Sequence, residues 1–204
     1  MKNYFIVLVL FLSFSVKAQE AGSLSLNLYG GYNFSDKVSF DMGYVDVKEG
    51  FQWGVGLEYF VQKYSSVELK YLRIDTKMEA FVGNTQINAG DDKGAVNNIL
   101  VDFTQYFDAG STKLLPYIGG GLGMGIVETP KNGNETTFAW DIKLGAKIKT
   151  SSAVSVNLHA YLQSMSSAVG NDIFYTWYGP VYVTDYATLY QFGLGAVISY
   201  NFKN

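Results

Sequence analysis

Polar and apolar residues alternate with a period of two in segment after segment of this chain, and each such run reads as a β-strand with one apolar and one polar face. The cleanest lies at 191–202. Phe192, Leu194, Ala196, Ile198, Tyr200 and Phe202 fall on one side, with Gln191, Gly193, Gly195, Ser199 and Asn201 on the other. In 23–34, Leu24, Leu26, Leu28, Gly30, Tyr32 and Phe34 oppose Ser23, Ser25, Asn27, Gly31 and Asn33. In 51–61, Phe51, Trp53, Val55, Leu57, Tyr59 and Val61 oppose Gln52, Gly54, Gly56 and Glu58. A third run sets Val67, Leu69 and Tyr71 against Glu68 and Lys70, then fades at Arg73, Asp75 and Lys77, as if the strand left the apolar band early. The fourth sets Ile99, Val101, Phe103 and Phe107 against Asp102, Thr104 and Tyr106, with Gln105 misplaced on the apolar side.

The fifth run, 114–126, puts Ile118, Leu122, Met124 and Ile126 on one face and a row of Gly119, Gly121, Gly123 and Gly125 on the other. Glycine weakens a strand interior unless something must approach closely, and a tightly filled barrel interior supplies that reason. In the sixth, Phe138, Trp140, Ile142, Leu144, Ala146 and Ile148 oppose Asp141, Lys143, Gly145, Lys147 and Lys149. In the seventh, Val154, Val156, Leu158, Ala160 and Leu162 oppose Ser155, Asn157, His159, Tyr161 and Gln163.

Eight strands result, joined alternately by long and short connections. The long ones are 35–50, 76–98, 128–136 (with a hairpin-turn signal at Lys131, Asn132, Gly133 and Asn134) and 164–186; the short ones are 62–65, 108–113 and 150–153. Even strand number with short turns at one end and long loops at the other is the organisation of an outer-membrane barrel. A soluble lipocalin-like barrel or a sandwich would also alternate, with its apolar face inward. Two features favour lipid outside. The polar faces combine glycines with both charge signs, at Glu58, Glu68, Lys70, Asp102, Asp141, Lys143 and Lys147. The apolar faces repeatedly end in Tyr, Trp or Phe, as interfacial girdles do. The fold expected is therefore all-β, an eight-stranded antiparallel transmembrane barrel in an up-and-down meander, with its free edges abolished by pairing 191–202 with 23–34.

The N-terminus supplies a compartment. Met1-Lys2-Asn3 is a short positive start, Tyr4 to Val16 is apolar apart from two serines, and Val16-Lys17-Ala18 offers small residues for cleavage. Residues 1–18 thus read as a secretory signal peptide and 19–204 as the barrel; the apolar run falls short of the ~20 residues of a membrane-spanning helix. Composition adds exclusions. Of 204 residues 16% are charged and 16% aromatic, the net charge is −3, and there is no Cys. Soluble domains carry about 25% charged residues. Without a basic excess, nucleic acid is excluded as a partner. Without cysteine there is no disulfide, thiol chemistry or thiolate metal site.

The leader, the alternating segments, the run Leu115-Pro-Tyr-Ile-Gly-Gly-Gly-Leu-Gly123 and the ending Gly195-Ala-Val-Ile-Ser-Tyr-Asn-Phe202 resemble the small outer-membrane barrels of the OmpA/OmpX/OmpW type. That resemblance implies the bacterial outer membrane as location. It also implies Gly195, Ile198, Tyr200 and Phe202 as the signal read by the barrel-assembly machinery, although Lys203-Asn204 follow the last aromatic.

Candidate chemistry is sparse, and neither cofactor nor metal is expected. His159, the single histidine, would serve as a general base in outer-membrane lipid A deacylases, which this size and fold resemble. Their Ser–His pair must meet lipid on the outer wall, however, and parity turns His159 inward. The expected role is a lumen polar network of Glu58, Glu68, Lys70, Asp102, Asp141, Lys143, Lys147 and His159. That network either plugs the interior or lines a narrow path for small solutes; an eight-stranded barrel is just wide enough for its side chains to fill, which favours the plug. Asp91-Asp92 alone make weak cation ligands. Arg73 is a candidate for lipopolysaccharide phosphate. Phe174, Tyr175, Trp177, Tyr178 and Tyr182 form a β-prone aromatic loop suited to strand addition by a surface protein or host ligand. The function expected is structural or surface interaction through external loops, not catalysis.

Overall fold

The computed structural model describes residues 21–40, 43–90, 92–111, 113–129, 133–150, 153–169, 173–176, 179–182 and 185–202. The strands are β1 (Leu24–Asn33), β2 (Asp36–Phe40), β3 (Gly43–Val47), β4 (Gly50–Gln62), β5 (Ser65–Val82), β6 (Thr85–Gln86), β7 (Lys93–Tyr106), β8 (Leu114–Thr129), β9 (Gly133–Lys149), β10 (Val154–Val169), β11 (Ile173–Thr176), β12 (Gly179–Tyr182) and β13 (Asp185–Phe202). Eight of them, β1, β4, β5, β7, β8, β9, β10 and β13, pair antiparallel in that order. β1 then pairs with β13, from Leu24↔Phe202 to Asn33↔Gly193, which closes the barrel.

Side chains follow the parity read from the sequence. The apolar row of each strand is outward and bare: Phe51 is 63% and Leu144 64% exposed. Gln105 does lie on this outer face, beside the short turns, and the Ser65 hydroxyl donates to its Oε1 at 2.7 Å.

β1, with 10 residues, matches the ~9–11 residues that cross a bilayer as strand. β5 and β13 have 18 residues each, and the excess projects at the long-loop end. Three long connections consequently hold more strand than the alternation marked. The segment 76–98 is largely strand, because β5 runs on to Val82 and β7 begins at Lys93. The segment 35–50 contains the hairpin β2–β3, whose β3 pairs with upper β5 from Gly43↔Val82 to Val47↔Met78. Within 164–186, β10 and β13 extend as a ladder to Val169↔Asp185, and β11–β12 form a separate two-stranded sheet.

The fading pattern at Arg73, Asp75 and Lys77 has a physical cause. In the projecting part the outer face meets water and the inner face becomes a core, so the polarity of the wall inverts. Ile74, Val96, Leu100, Ala139, Met165 and Leu189 are buried together inside it, with Val47 from β3 against them. At the short-turn end, Phe60, Tyr106, Leu115 and Tyr117 fill the interior, with Tyr64 alongside. The lumen thus carries an apolar cluster toward each end besides the polar network between them, which corrects the expectation of a polar interior throughout.

Candidate functional site: the barrel interior and the long-loop rim

The polar middle is built from one register row. Glu58 of β4 sits opposite Glu68 of β5, Glu68 opposite Asp102 of β7, and Asp102 opposite Gly121 of β8, which faces Asp141 of β9. Like charges directly opposite one another destabilise a sheet, so this row requires cations. Lys70 reaches Asp102 at 2.6 Å and also bridges to Asp141. Lys143 reaches Asp102 at 2.9 Å and Glu68 at 3.2 Å. Lys147 stands 3.5 Å from Glu58 and over the rings of Phe60 and Tyr106, 4.9 and 5.2 Å from their centroids. Neutral donors complete the shell. Asn27 Nδ2 and the Tyr29 hydroxyl each donate to Glu68 Oε1 at 2.6 Å, while Ser66 and Tyr106 hydroxyls donate to Glu58 Oε1 at 2.6 and 2.7 Å. All seven charged groups are buried.

The glycine faces make room for this network. A Cβ on Gly121 would lie 2.0 Å from Asp102 Oδ1, and one on Gly56 would lie 2.2 Å from Glu68 Oε1. His159 takes no part in the ion pairs. Its ring lies edge-on to Tyr29 at 6.3 Å and tilted against Tyr161 at 5.4 Å, over the backbone of Gly195. Beyond it, Gln52 donates to Gln163 at 2.9 Å and Gln163 to Gln191 at 3.1 Å, and the Tyr161 hydroxyl donates to Asn33 Oδ1. Aromatic plug, ion network, amide chain and apolar cap therefore occupy successive levels. A groove of about 600 Å³ opens instead on the outer wall, where Gly120 leaves a notch between Phe103, Leu122, Trp140 and Ile142. It faces lipid.

At the long-loop rim, Arg73 does face outward, but its guanidinium is already engaged. It bonds Asp75 at 2.8 Å, Glu128 at 3.2 Å and Asn97 Oδ1 at 3.1 Å, and Asn97 also accepts from the Tyr71 hydroxyl at 2.7 Å. Lys48, half-buried in the connection between β3 and β4, is held between Asp46 at 2.7 Å and Glu79 at 3.0 Å; those carboxylates keep its ammonium above the ordinary lysine range. Asp92 pairs with Lys77 at 3.2 Å, while Asp91 lies outside the described residues. Among the described residues no group of three or more His, Cys, Asp or Glu could hold a metal. Phe174 and Tyr175 fall on β11 and Tyr182 on β12, where Phe174 is the register partner of Val181 and Ile173 of Tyr182; Trp177 and Tyr178 lie outside the described residues, as do residues 1–18, read from the sequence as a signal peptide. At the seam, Ile198, Tyr200 and Phe202 point outward and Gly195 inward.

Sequence reasoning missed the inner ends: Phe60, Leu115 and Met165 are apolar and so were not assigned to the lumen, although they share the parity of its polar residues.

A closed antiparallel barrel with an apolar outer belt and a charged interior is an integral protein of the bacterial outer membrane. The chain belongs to the family described as "Outer membrane protein beta-barrel domain", whose model matches residues 6–202. Among solved structures it is similar to Neisserial surface protein A, at 14% identity over 88% of this chain and 97% of that one, with a TM-score of 0.59. It is also similar to the outer membrane protein OprG from Pseudomonas aeruginosa, at 12% identity over 92% and 99%, with a TM-score of 0.61. Outer membrane protein AlkL, solved in lipid bilayers, covers 94% of this chain and 96% of its own at 12% identity and a TM-score of 0.50. No curated protein matches the chain.

Proposed function

We propose that this protein is a non-conducting, non-enzymatic outer-membrane anchor whose strands and loops beyond the membrane engage another macromolecule. The observation that carries the reading is the filling of the interior at every level. The charged side chains that could line a path are instead held in ion pairs, and apolar clusters lie toward both ends. Buried charges held in pairs cannot release one another to pass an ion without a cost of several kcal/mol each. With short turns toward the periplasm, everything that departs from a minimal barrel lies on the outer side: the β2–β3 hairpin, the extensions of β5 and β13, and β11–β12.

Arg73, bonded to two carboxylates, has little left to offer a lipopolysaccharide phosphate, so the reading favours a protein partner over direct phosphate contact. Gly195, Ile198, Tyr200 and Phe202 serve assembly, through contact of the outward trio with the insertion machinery. Catalysis by His159 finds no support, since the side chains against its ring are two tyrosines.

The test is cross-linking on intact cells, comparing the full chain with a variant lacking 173–182. A cross-linked partner that is lost in the variant or displaced by soluble competitor supports the reading. Identical cross-linking to cells expressing an empty barrel of the same size argues against it.

A further inference from the structure

At the short-turn end, the β8–β9 ladder finishes on two lysines. Leu114 of β8 is the register partner of Ile148 of β9, and one step further the Lys149 amide donates to the Lys113 carbonyl at 2.7 Å. Lys113 and Lys149 therefore stand opposite one another, and like charges so placed destabilise a ladder. In the lumen the chain answers its own like charges, because Lys70, Lys143 and Lys147 meet the row of carboxylates. At this end it does not: among the described residues neither Lys113 nor Lys149 is in an ion pair. The charged neighbours of Lys149 are two further lysines, Lys147 and Lys63, and one acid, Asp108. That acid is engaged by the Tyr64 hydroxyl at 2.8 Å and the Gly110 amide at 2.9 Å. Lys63 lies over the Tyr64 ring, 4.8 Å from its centroid.

The end as a whole is basic. Segments 19–22, 62–65, 107–113, 149–153 and 203–204 carry four Lys against one Asp and one Glu, a net +2 in a chain of −3. At the opposite end Lys48, Lys77 and Arg73 each bridge to an acid. The height of the lysine pair points to its counter-ion. Leu114 and Ile148, the neighbours of Lys113 and Lys149 on the membrane side, are outward and 41% and 39% exposed, as part of the lipid-facing belt. On both strands the belt stops at the next residue, which is the level of the lipid headgroups. Lysine lays its stem along apolar surface and carries the ammonium to that level. Short turns lie toward the periplasm, so these headgroups are those of the periplasmic leaflet.

We propose that Lys113 and Lys149, with Lys63 beside them, hold the phosphate of an anionic phospholipid in the periplasmic leaflet. The phosphate supplies the negative charge that the end of the ladder lacks, and its two unesterified oxygens suit two ammoniums side by side. Leu114 and Ile148 meet the first methylenes of the same lipid. A zwitterionic lipid brings its own cation and so offers the pair less, which makes the site selective for net charge.

The experiment uses the full-length protein folded in zwitterionic detergent micelles. The probes are dioleoylphosphatidylglycerol and dioleoylphosphatidylcholine, and native mass spectrometry counts the lipid retained. The expected result is retention of phosphatidylglycerol at about tenfold lower lipid concentration than phosphatidylcholine, a preference that shrinks as salt is raised before transfer. Lys113→Gln/Lys149→Gln should abolish the preference. Lys37→Gln/Lys93→Gln makes the same change of net charge at the opposite end and should keep it. Heat-modifiable migration on a gel shows which variants fold. If the double variant does not, Lys113→Gln alone, at an exposed position just before β8, should still cut the preference about fivefold. Inorganic phosphate at the lipid's concentration should leave the lipid in place. Equal retention of the two lipids, an unchanged preference in Lys113→Gln, equal loss in the control double variant, or displacement by inorganic phosphate overturns the proposal.

Discussion

Replacing Lys70 by Met takes one ammonium from a row of four buried carboxylates. In the native protein that ammonium holds Asp102 at 2.6 Å and Asp141 as well. In Lys70→Met, Asp102 keeps Lys143 at 2.9 Å, but Asp141 has no other ion partner among the described residues. Breaking a buried pair from one side costs about 3–5 kcal/mol, or roughly two to three and a half decades in the folding equilibrium, which is a large share of the ~5–15 kcal/mol typical of a whole domain. The double variant Lys70→Met/Asp141→Asn removes one charge of each sign. Three carboxylates then face two ammoniums, and the excess of one negative charge is the same as in the native network. The double variant should therefore cost less than the two single changes together, by ~1–3 kcal/mol. The assay is reversible urea unfolding from phosphatidylcholine vesicles, followed by tryptophan fluorescence and by the shift between folded and unfolded bands on a gel. Stability of Lys70→Met within about 1 kcal/mol of the native chain, or strict additivity in the double variant, would refute a fixed, buried network.

Further expectations follow from individual contacts. Gly121→Ala places a methyl group 2.0 Å from Asp102 Oδ1 and should cost about 1–3 kcal/mol in the same assay, whereas Gly30→Ala meets only the Phe51 ring at 3.5 Å and should be tolerated. Phe60→Ala empties the most deeply buried part of the short-turn plug and should cost about 3–5 kcal/mol, yet it should not create conductance, because the ion network above it is intact. In the turn after β7, Asp108 accepts from the Tyr64 hydroxyl at 2.8 Å and from the Gly110 amide at 2.9 Å, and these bonds hold its carboxyl below the ordinary aspartate range, the tyrosine first. A group whose folded pKa is depressed stabilises above its unfolded pKa and loses that contribution as pH falls through the folded one. Asp108→Asn should therefore be less stable than the native chain at neutral pH, and the difference should shrink as unfolding is measured at successively lower pH below the ordinary aspartate range.

The membrane-spanning half of the molecule was legible because lipid and lumen impose opposite polarity on neighbouring residues. From Leu24 to Phe34 or Phe138 to Ile148, each residue declares its side. The acidic and basic lumen residues were legible for the same reason: parity turned Glu58, Glu68, Asp102 and Asp141 inward, while the register that sets them in one row was not readable from alternation. The projecting half was not legible. There the outer face meets water and the inner face is packed, so Arg73 and Asp75 point out while Ile74 points in, and the pattern learned from the membrane reads as decay into a loop. His159 shows a second limit. Its inward direction followed from alternation, but its partners did not, since Tyr29 lies on a strand two neighbours away around the wall and only closure brings the rings together. The commitment of Arg73 to Asp75 and Glu128 was hidden likewise, because Glu128 is distant in sequence and register alone places it nearby.

The most direct test of the closed interior is single-channel recording of the purified, folded protein in a planar bilayer, alongside Lys70→Met/Asp141→Asn. A filled barrel should give no discrete conductance steps in either form at any salt concentration or polarity of voltage. Reproducible, ohmic steps from the native chain that change in size when Lys70 and Asp141 are replaced would contradict it and return the lumen to the role of a channel.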